Sequence, residues 1–247
     1  NYENLLTPKL SFRFNPNDMK DHSLSENRIT ANNAFALNRL GLSDTLEAGR
    51  SITLGLDYKN KKKNDLNQIN NYFELKLATV LRDKEEKFIP NKSSIHRKNS
   101  NLFGSISNQF SKYLDLDYNF SLNNDYNTFD YNDLNTTISI NNFVTKFSFI
   151  KEQGELGDAN SLSNTTKYSL DEKSSFTFQT RRNRKLSLTE YYDLVYEYKN
   201  DCLTAGIKYK KSYYADEDLR PTENLFFTIT LFPLTSYEYQ ASELIDQ

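Results

Sequence analysis

Apolar and polar residues alternate with a period of two through most of this chain. In the clearest case, residues 114–122, Leu114, Leu116 and Tyr118 alternate with Asp115 and Asp117. Because successive side chains of a strand point to opposite faces of a sheet, this pattern predicts β-strands with one apolar and one polar face. No apolar run reaches the roughly 18 residues that a transmembrane helix needs. The fold class is therefore predicted to be all-β.

The composition is polar, yet it does not indicate disorder. Mean hydropathy is -0.76 and hydrophobic residues make up 37% of the chain. Aromatic residues reach 14%, whereas disordered chains are poor in them. Low hydropathy with alternating segments is expected of a transmembrane β-barrel, in which every second residue faces a wet lumen. The net charge of -2 gives no basic face for nucleic acid, and a single cysteine excludes an internal disulfide framework.

The alternating segments predict about twelve strands and a regular set of connections. Long connections follow the odd-numbered strands and shorter ones the even-numbered strands, as in transmembrane barrels but not in soluble β-sandwiches. We therefore predict an antiparallel transmembrane β-barrel region over residues 1–234 and a polar tail over 235–247. The segment 15–47 is expected to contain a short helix or a folded loop. The predicted strands cover about 7–15, 48–60, 69–82, 101–110, 113–123, 133–140, 143–151, 162–170, 174–182, the two strands of a hairpin around 196–211, and 224–234.

Three stretches of the chain resemble the LPS-assembly protein (LptD) family. The hairpin Tyr196–Lys211, YEYKNDCLTAGIKYKK, resembles a hairpin near the C-terminus of that family. Asn38–Tyr58, NRLGLSDTLEAGRSITLGLDY, and Pro8–Pro16, PKLSFRFNP, resemble two further patterns of the family. The resemblance covers nearly the whole chain. It implies the C-terminal half of the family's barrel without its periplasmic domain, so the strands are expected to form an incomplete, open barrel with two unpaired edges.

The resemblance also implies a function. Proteins of this family lie in the outer membrane, assemble lipopolysaccharide into its outer leaflet, and release it through a lateral gate. The expected partners are lipopolysaccharide, an LptE-type lipoprotein plug, and periplasmic lipopolysaccharide-bridge proteins that act through the missing N-terminal domain. Neither an enzymatic activity nor a cofactor is expected, and no nucleic-acid partner.

Two sets of site residues follow from the same resemblance. Cys202 is expected to form a disulfide with the missing periplasmic domain. The family often has two adjacent cysteines at this position, whereas this chain has one, and a free thiol is the alternative. The lateral gate is assigned to the last predicted strand, where Pro233 lacks a backbone donor and would shorten the seam. The gate residues are Leu225, Phe226, Phe227, Thr228, Ile229, Thr230, Leu231, Phe232 and Pro233.

Other functions remain open at this stage. A general porin or a receptor-type barrel is the first alternative, an outer-membrane barrel enzyme the second, and a soluble sandwich or adhesin the third. The enzyme is disfavoured because the two histidines, His22 and His96, lie far apart in predicted loops. The chain also lacks the GxSxG, HExxH and phosphate-loop motifs. Asp115 and Asp117 share a polar face, but solvation in a lumen explains them without chemistry.

Overall fold

The computed structural model describes residues 2–63, 69–214, 220–231 and 235–240, which form 13 β-strands in one antiparallel sheet. Consecutive strands are neighbours throughout, and two short 3₁₀ turns lie at Asn91–Ser93 and Gly154–Leu156. The all-β prediction is therefore confirmed. The strands are β1 (Tyr2–Asn15), β2 (Gly49–Lys63), β3 (Ile69–Arg82), β4 (Leu102–Ser111), β5 (Leu114–Leu122), β6 (Phe129–Ile140), β7 (Phe143–Glu152), β8 (Asn160–Ser169), β9 (Ser174–Asn183), β10 (Leu188–Lys199), β11 (Leu203–Ser212), β12 (Thr222–Leu231) and β13 (Thr235–Gln240).

The chain divides into two compact units. The first contains residues 1–135 and 150–159, and the second contains residues 136–149 and 160–247. Within the described residues, no helix has the length and apolar character needed to cross a membrane.

The thirteenth strand is a correction to the sequence analysis. β13 lies inside 235–247, the segment treated there as a polar tail, and pairs with β12 from Phe226↔Gln240 to Leu231↔Thr235. Its pattern was missed because the strand is short and its polar residues favoured a tail. β12 is therefore not the last strand of the sheet.

The first unit exposes its apolar rows and buries its polar rows. On β2, Ile52 and Leu54 are 41% and 42% exposed, whereas Ser51 and Thr53 are almost fully buried. This agrees with the alternation of apolar and polar residues in the sequence of β2. A sheet in a soluble protein packs its apolar face on a core and solvates its polar face. The arrangement here is the reverse, and exposed apolar rows of this extent require an apolar surrounding or a partner.

The second unit shows the same reversal. Phe178 of β9, Leu194 of β10 and Ile207 of β11 lie on one exposed face of the sheet. The adjacent residue Asp193 points to the other face, is buried, and forms an ion pair with Lys208 over 3.3 Å. In this unit too, the alternation of apolar and polar residues along the strands determines which residues face outward.

The β10–β11 hairpin forms as the sequence predicts. Its register pairs Tyr198 with Ala205 and Tyr196 with Ile207, so the predicted apolar rows coincide. The Asn200 side-chain oxygen accepts hydrogen bonds from the backbone N–H groups of Cys202 and Leu203, at 3.1 and 2.8 Å. Asparagine commonly stabilises tight turns in this way.

The connections follow the predicted long and short alternation with one exception. Long connections cover 16–48, 83–101 and 123–128, and two-residue turns lie at 112–113 and 141–142. The exception is the two connections on either side of β9, at 170–173 and 184–187, because they have the same length instead of one being longer. The predicted basic loop after β9 is shorter than expected because β9 extends to Asn183 and β10 begins at Leu188, with a bulge between Thr189 and Tyr191.

The packing between β4 and β5 can be tested at Gly104 of β4, because the Phe120 ring of β5 lies directly over this residue. A Cβ added at Gly104 would come within 2.0 Å of the ring. We expect Gly104→Ala to lower the free energy of unfolding by about 1–3 kcal/mol, as overpacking does. Urea unfolding in detergent micelles measures the change. In a Phe120→Ala background the same substitution should cost far less, and an equal cost in both backgrounds would contradict this packing.

Candidate functional site

Two long connections of the first unit, 16–48 and 83–101, fold together and are called the loop cap below. Their backbones are joined by hydrogen bonds from His22 N to Phe88 O and from Asn91 N to Ser23 O, at 2.9 and 3.0 Å. The folded loop expected over 15–47 is therefore present, and its described residues contain no helix. The buried apolar side chains of the cap in the core cluster are Met19, Ile29, Ala31, Ala34, Leu40, Leu42, Ala48, Ile89 and Ile95.

The loop cap lies on the polar face of the first strands. Gly55 of β2 accommodates the Phe35 ring, which would lie 2.6 Å from a Cβ at that position. Lys76 of β3 donates a hydrogen bond to the Asn32 side chain over 2.9 Å, and Lys9 of β1 lies over the Phe35 ring. This part of the polar face is therefore covered by protein and is not open to solvent.

A buried ion-pair cluster connects the cap to the sheet, and we call it the arginine cluster: Arg13, Arg39, Arg82 and Glu47. Arg39 Nε and Nη2 donate to the two carboxylate oxygens of Glu47, at 2.7 and 2.5 Å. Arg82 Nη1 donates to Glu47 Oε1 at 2.5 Å. Arg13 is more distant, 3.6 Å from Glu47 Oε2, and donates hydrogen bonds to the backbone oxygens of residues 36 and 37.

Besides the backbone oxygen of Ala34, the strand β2 supplies two further partners of Arg39. Arg39 donates to the hydroxyl groups of Thr53 and Ser51, at 2.8 and 3.0 Å. These two hydroxyl groups occupy inward positions of β2, so the alternation of the strand places them where the arginine needs acceptors. The guanidinium group of Arg39 needs these acceptors because burying an ion pair costs free energy unless its hydrogen bonds are made.

The electrostatics of the cluster are unbalanced. Burial by itself raises the pKa of the Glu47 carboxyl, but the hydrogen bond from Arg39 and the surrounding guanidinium charges outweigh it, so the pKa lies below 4.5. The charges that act on Arg13 in the described residues are those of Glu47, Arg39 and Arg82. Three guanidinium groups thus share one carboxylate. Arg82 Nε has no hydrogen-bond partner among the described residues.

Two of the three stretches that carry the family resemblance meet in this cluster. Arg13 belongs to the stretch Pro8–Pro16, and Arg39 and Glu47 belong to Asn38–Tyr58. The sequence analysis did not predict this cluster, and Arg82 lies outside all three stretches. Its position at the end of β3, in register with Ser51, is the signal that would have placed it on the inward face. The third stretch, the β10–β11 hairpin, belongs to the second unit.

Cys202 lies exposed in the β10–β11 turn as a free thiol. Its disulfide with a periplasmic domain stays a prediction, since no partner for such a bond is part of this chain. Because Cys202 is exposed at a strand turn, its thiol is accessible to a disulfide partner.

The predicted gate residues 225–231 lie in β12, and Phe232 and Pro233 lie outside the described residues. β12 is paired on both sides, as shown by Phe227, which is in register with Ile207 of β11 and Tyr239 of β13. The assumption that this strand ends the sheet is therefore wrong, and its role as a gate is untested. Tyr196, Ile207, Phe227 and Ile229 line an apolar groove of about 240 Å³ on the outward face.

Each of the two histidines lies beside a carboxylate, and His96 Nδ1 is buried without a hydrogen-bond partner among the described residues. His22 Nε2 lies 2.9 Å from Asp44, and His96 Nε2 lies 3.6 Å from Glu155. Burial lowers the pKa of His96 below its ordinary value, against the opposing charge of Glu155. Among the described residues, no three His, Cys, Asp or Glu side chains are grouped as a metal site.

Comparisons with known proteins found neither a matching family model nor a matching curated protein. Among solved structures, a triple mutant of the Rhodopseudomonas blastica porin aligns with a TM-score of 0.44 and 8% identity, over 97% of this chain and 95% of that one. Another mutant of this porin gives 0.43 and 9%, over 96% and 95%. A structure described as "Asymmetric conductivity of engineered proteins" gives 0.43 and 9%, over 97% and 95%. Likeness at this level carries no weight here, and the fold rests on the strand pairing of the chain itself.

Glu47→Gln tests the arginine cluster. The substitution leaves buried guanidinium groups without their counter-charge, and we expect the free energy of unfolding to fall by about 3–5 kcal/mol near neutral pH. Because the folded-state pKa of Glu47 lies below 4.5, its stabilisation is complete above that pH and is lost as the pH falls through the folded-state value. Urea unfolding of both proteins from about pH 7 to about pH 3 measures the difference, which should shrink in acid.

Glu26→Gln is the matched control. Glu26 lies in the same connection and pairs with Lys92, but its side chain is largely exposed. We expect nearly unchanged stability, because exposed ion pairs contribute little. If Glu47→Gln and Glu26→Gln behave alike, the cluster does not hold the loop cap.

Proposed function

We propose that this chain forms part of an outer-membrane β-barrel of the general porin or receptor type. The observation that carries the proposal is the reversed burial of the sheet, with Leu54 and Leu194 exposed and Ser51, Thr53 and Asp193 buried. Lipid makes the exposed rows favourable, and the covered polar face becomes the inside of the barrel.

The backbone arrangement supports the same proposal. In a bilayer every N–H and C=O needs a partner within the protein, which strands satisfy by pairing with neighbours on both sides. The antiparallel order from β1 to β13, with each strand beside the next, is the connectivity that an up-and-down barrel requires. The rows of Tyr and Phe on the outward face suit the apolar region and its interface with water.

Adjacent tryptophans on β10 test the proposal, since the chain has no tryptophan of its own. Leu194 points outward and Val195, its neighbour in the strand, points to the opposite face. In vesicles made of lipids with brominated acyl chains, we expect strong quenching of tryptophan fluorescence for Leu194→Trp and little for Val195→Trp. Neighbouring residues of a strand point to opposite faces of the sheet. The two tryptophans therefore lie at the same depth in the membrane and differ only in which face of the sheet surrounds them.

Equal quenching of the two variants, or none in either, would contradict a membrane barrel with this orientation. A third variant, Leu54→Trp, extends the test to the first unit, where it should behave like Leu194→Trp. The proteins are extracted from outer membranes as the full polypeptide before reconstitution.

Lipopolysaccharide assembly is the second candidate function. It is supported by the meeting of Arg13, Arg39 and Glu47, which belong to two stretches that resemble the LPS-assembly protein family. In this proposal lipopolysaccharide is the cargo, an LptE-type lipoprotein fills the barrel, and periplasmic bridge proteins deliver the lipid. The seam would involve β12, whose outward groove presents Phe227 and Ile229. Coverage of the polar face by the loop cap suits a barrel whose interior is filled.

Cys202→Ser separates the two candidates. If lipopolysaccharide assembly is correct, the full polypeptide from outer membranes shifts its gel mobility on reduction and Cys202→Ser does not. Cells depleted of the protein should also lose newly made lipopolysaccharide from their surface. Identical migration of both proteins, normal surface lipopolysaccharide, and stepwise solute conductance in planar bilayers would instead favour the general porin.

A further inference from the structure

The outward face of β9 ends in an exposed arginine. Arg182 lies an even number of residues after Phe176 and Phe178 and therefore on the same face of the strand. Its register partner on β8 is Leu162, which is also outward and 41% exposed. A basic side chain thus continues an apolar row, at the end of the sheet where β9 ends and β10 begins.

A second guanidinium group, that of Arg184, lies on the same face. Arg184 follows the last residue of β9, and its guanidinium carbon is 5.3 Å from the centre of the Phe149 ring on β7. Phe149 shares its face of β7 with Thr145, whose hydroxyl is 2.8 Å from that of Thr166 in the outward row of β8. The ring contact therefore holds the Arg184 side chain against the outward face and leaves its charge in place.

The acids at this end of the second unit are already paired with other basic residues. Arg181, which precedes Arg182 and points to the opposite face, pairs with Glu190 over 3.0 Å. The other described acid at this end of the unit, Glu223, pairs with a lysine of β11 over 2.6 Å. Among the described residues, Arg182 and Arg184 form no ion pair. The outward face therefore carries an excess of positive charge here.

We propose that Arg182 and Arg184 bind the anionic phosphate headgroup of a membrane lipid, whose acyl chains lie on the apolar row that includes Leu162 and Phe178. Guanidinium groups bind phosphate oxygens through paired, charge-assisted hydrogen bonds. A lipid fits better than a soluble anion because the apolar row continues directly from the arginines, and basic residues beside an apolar region attract anionic headgroups. The inference rests on the proposed membrane barrel, since it takes the outward face to lie in lipid.

Quenching of a single tryptophan by brominated lipid tests this site. Leu162→Trp places the reporter in register with Arg182, in a chain that has no tryptophan of its own. The full polypeptide from outer membranes is reconstituted into phosphatidylcholine vesicles that contain a minor share of phosphatidic acid. Either the one lipid or the other carries the bromine. We expect brominated phosphatidic acid to quench the reporter severalfold more than its share of the lipid accounts for.

Substitutions of the arginines in the Leu162→Trp protein assign the effect to the site. Arg182→Gln together with Arg184→Gln should reduce quenching by phosphatidic acid to the level set by its share of the lipid. Arg182→Lys together with Arg184→Lys keeps both charges and should retain part of the enrichment. Arg181→Gln is the matched control, because it removes a positive charge from the neighbouring position on the opposite face, and it should leave the enrichment unchanged.

Several outcomes would overturn the inference. Quenching by phosphatidic acid in simple proportion to its share, or an enrichment that survives loss of both arginines, contradicts the site. An equal loss of enrichment in Arg181→Gln shows that overall charge attracts the lipid, and displacement by inorganic phosphate shows a site for a soluble anion. Absence of quenching by either brominated lipid would instead overturn the membrane barrel itself, so the two failures are distinguishable.

Discussion

The contact between Arg39 and Glu47 is the constraint on which the first unit depends. A buried ion pair is favourable only when its geometry is good and its remaining donors and acceptors are satisfied. Here the second condition is met by Ser51 and Thr53, which β2 presents on its inward face. The loop cap therefore keeps its position only while β2 stays in register, because a slip of one residue would replace the two hydroxyl groups by Ile52 together with either Leu54 or Arg50.

This dependence explains how a sheet with an apolar exterior keeps an ordered interior. Small residues such as Gly55 and Ala78 leave room on the inward face, and Phe35 with the apolar core of the loop cap fills that room. Polar groups on the inward face are bonded to the cap. Ala78, Val80 and Phe103 of the strands are buried together with the apolar residues of the connections, whereas outward residues such as Ile52 and Leu54 remain exposed.

The sequence predicts the strands and their faces because both follow from a period of two, which is local. β3 has the predicted bounds 69–82, and the Asn200 turn joins the predicted strands. The arginine cluster was not predicted, because it joins residues far apart in the chain and Arg82 has no motif of its own. β13 was missed because its alternation covers only six residues within a polar segment. The assignment of β12 as an edge failed with it.

Arg13 joins β1 to the loop cap. Its guanidinium group donates hydrogen bonds to the backbone oxygens of Ala36 and Leu37, so it holds the part of the cap that covers the sheet. Arg82 at the end of β3 binds Glu47 of the cap in the same cluster. The cap is therefore held from two strands, and its position depends on the pairing of both β1 and β3 with β2.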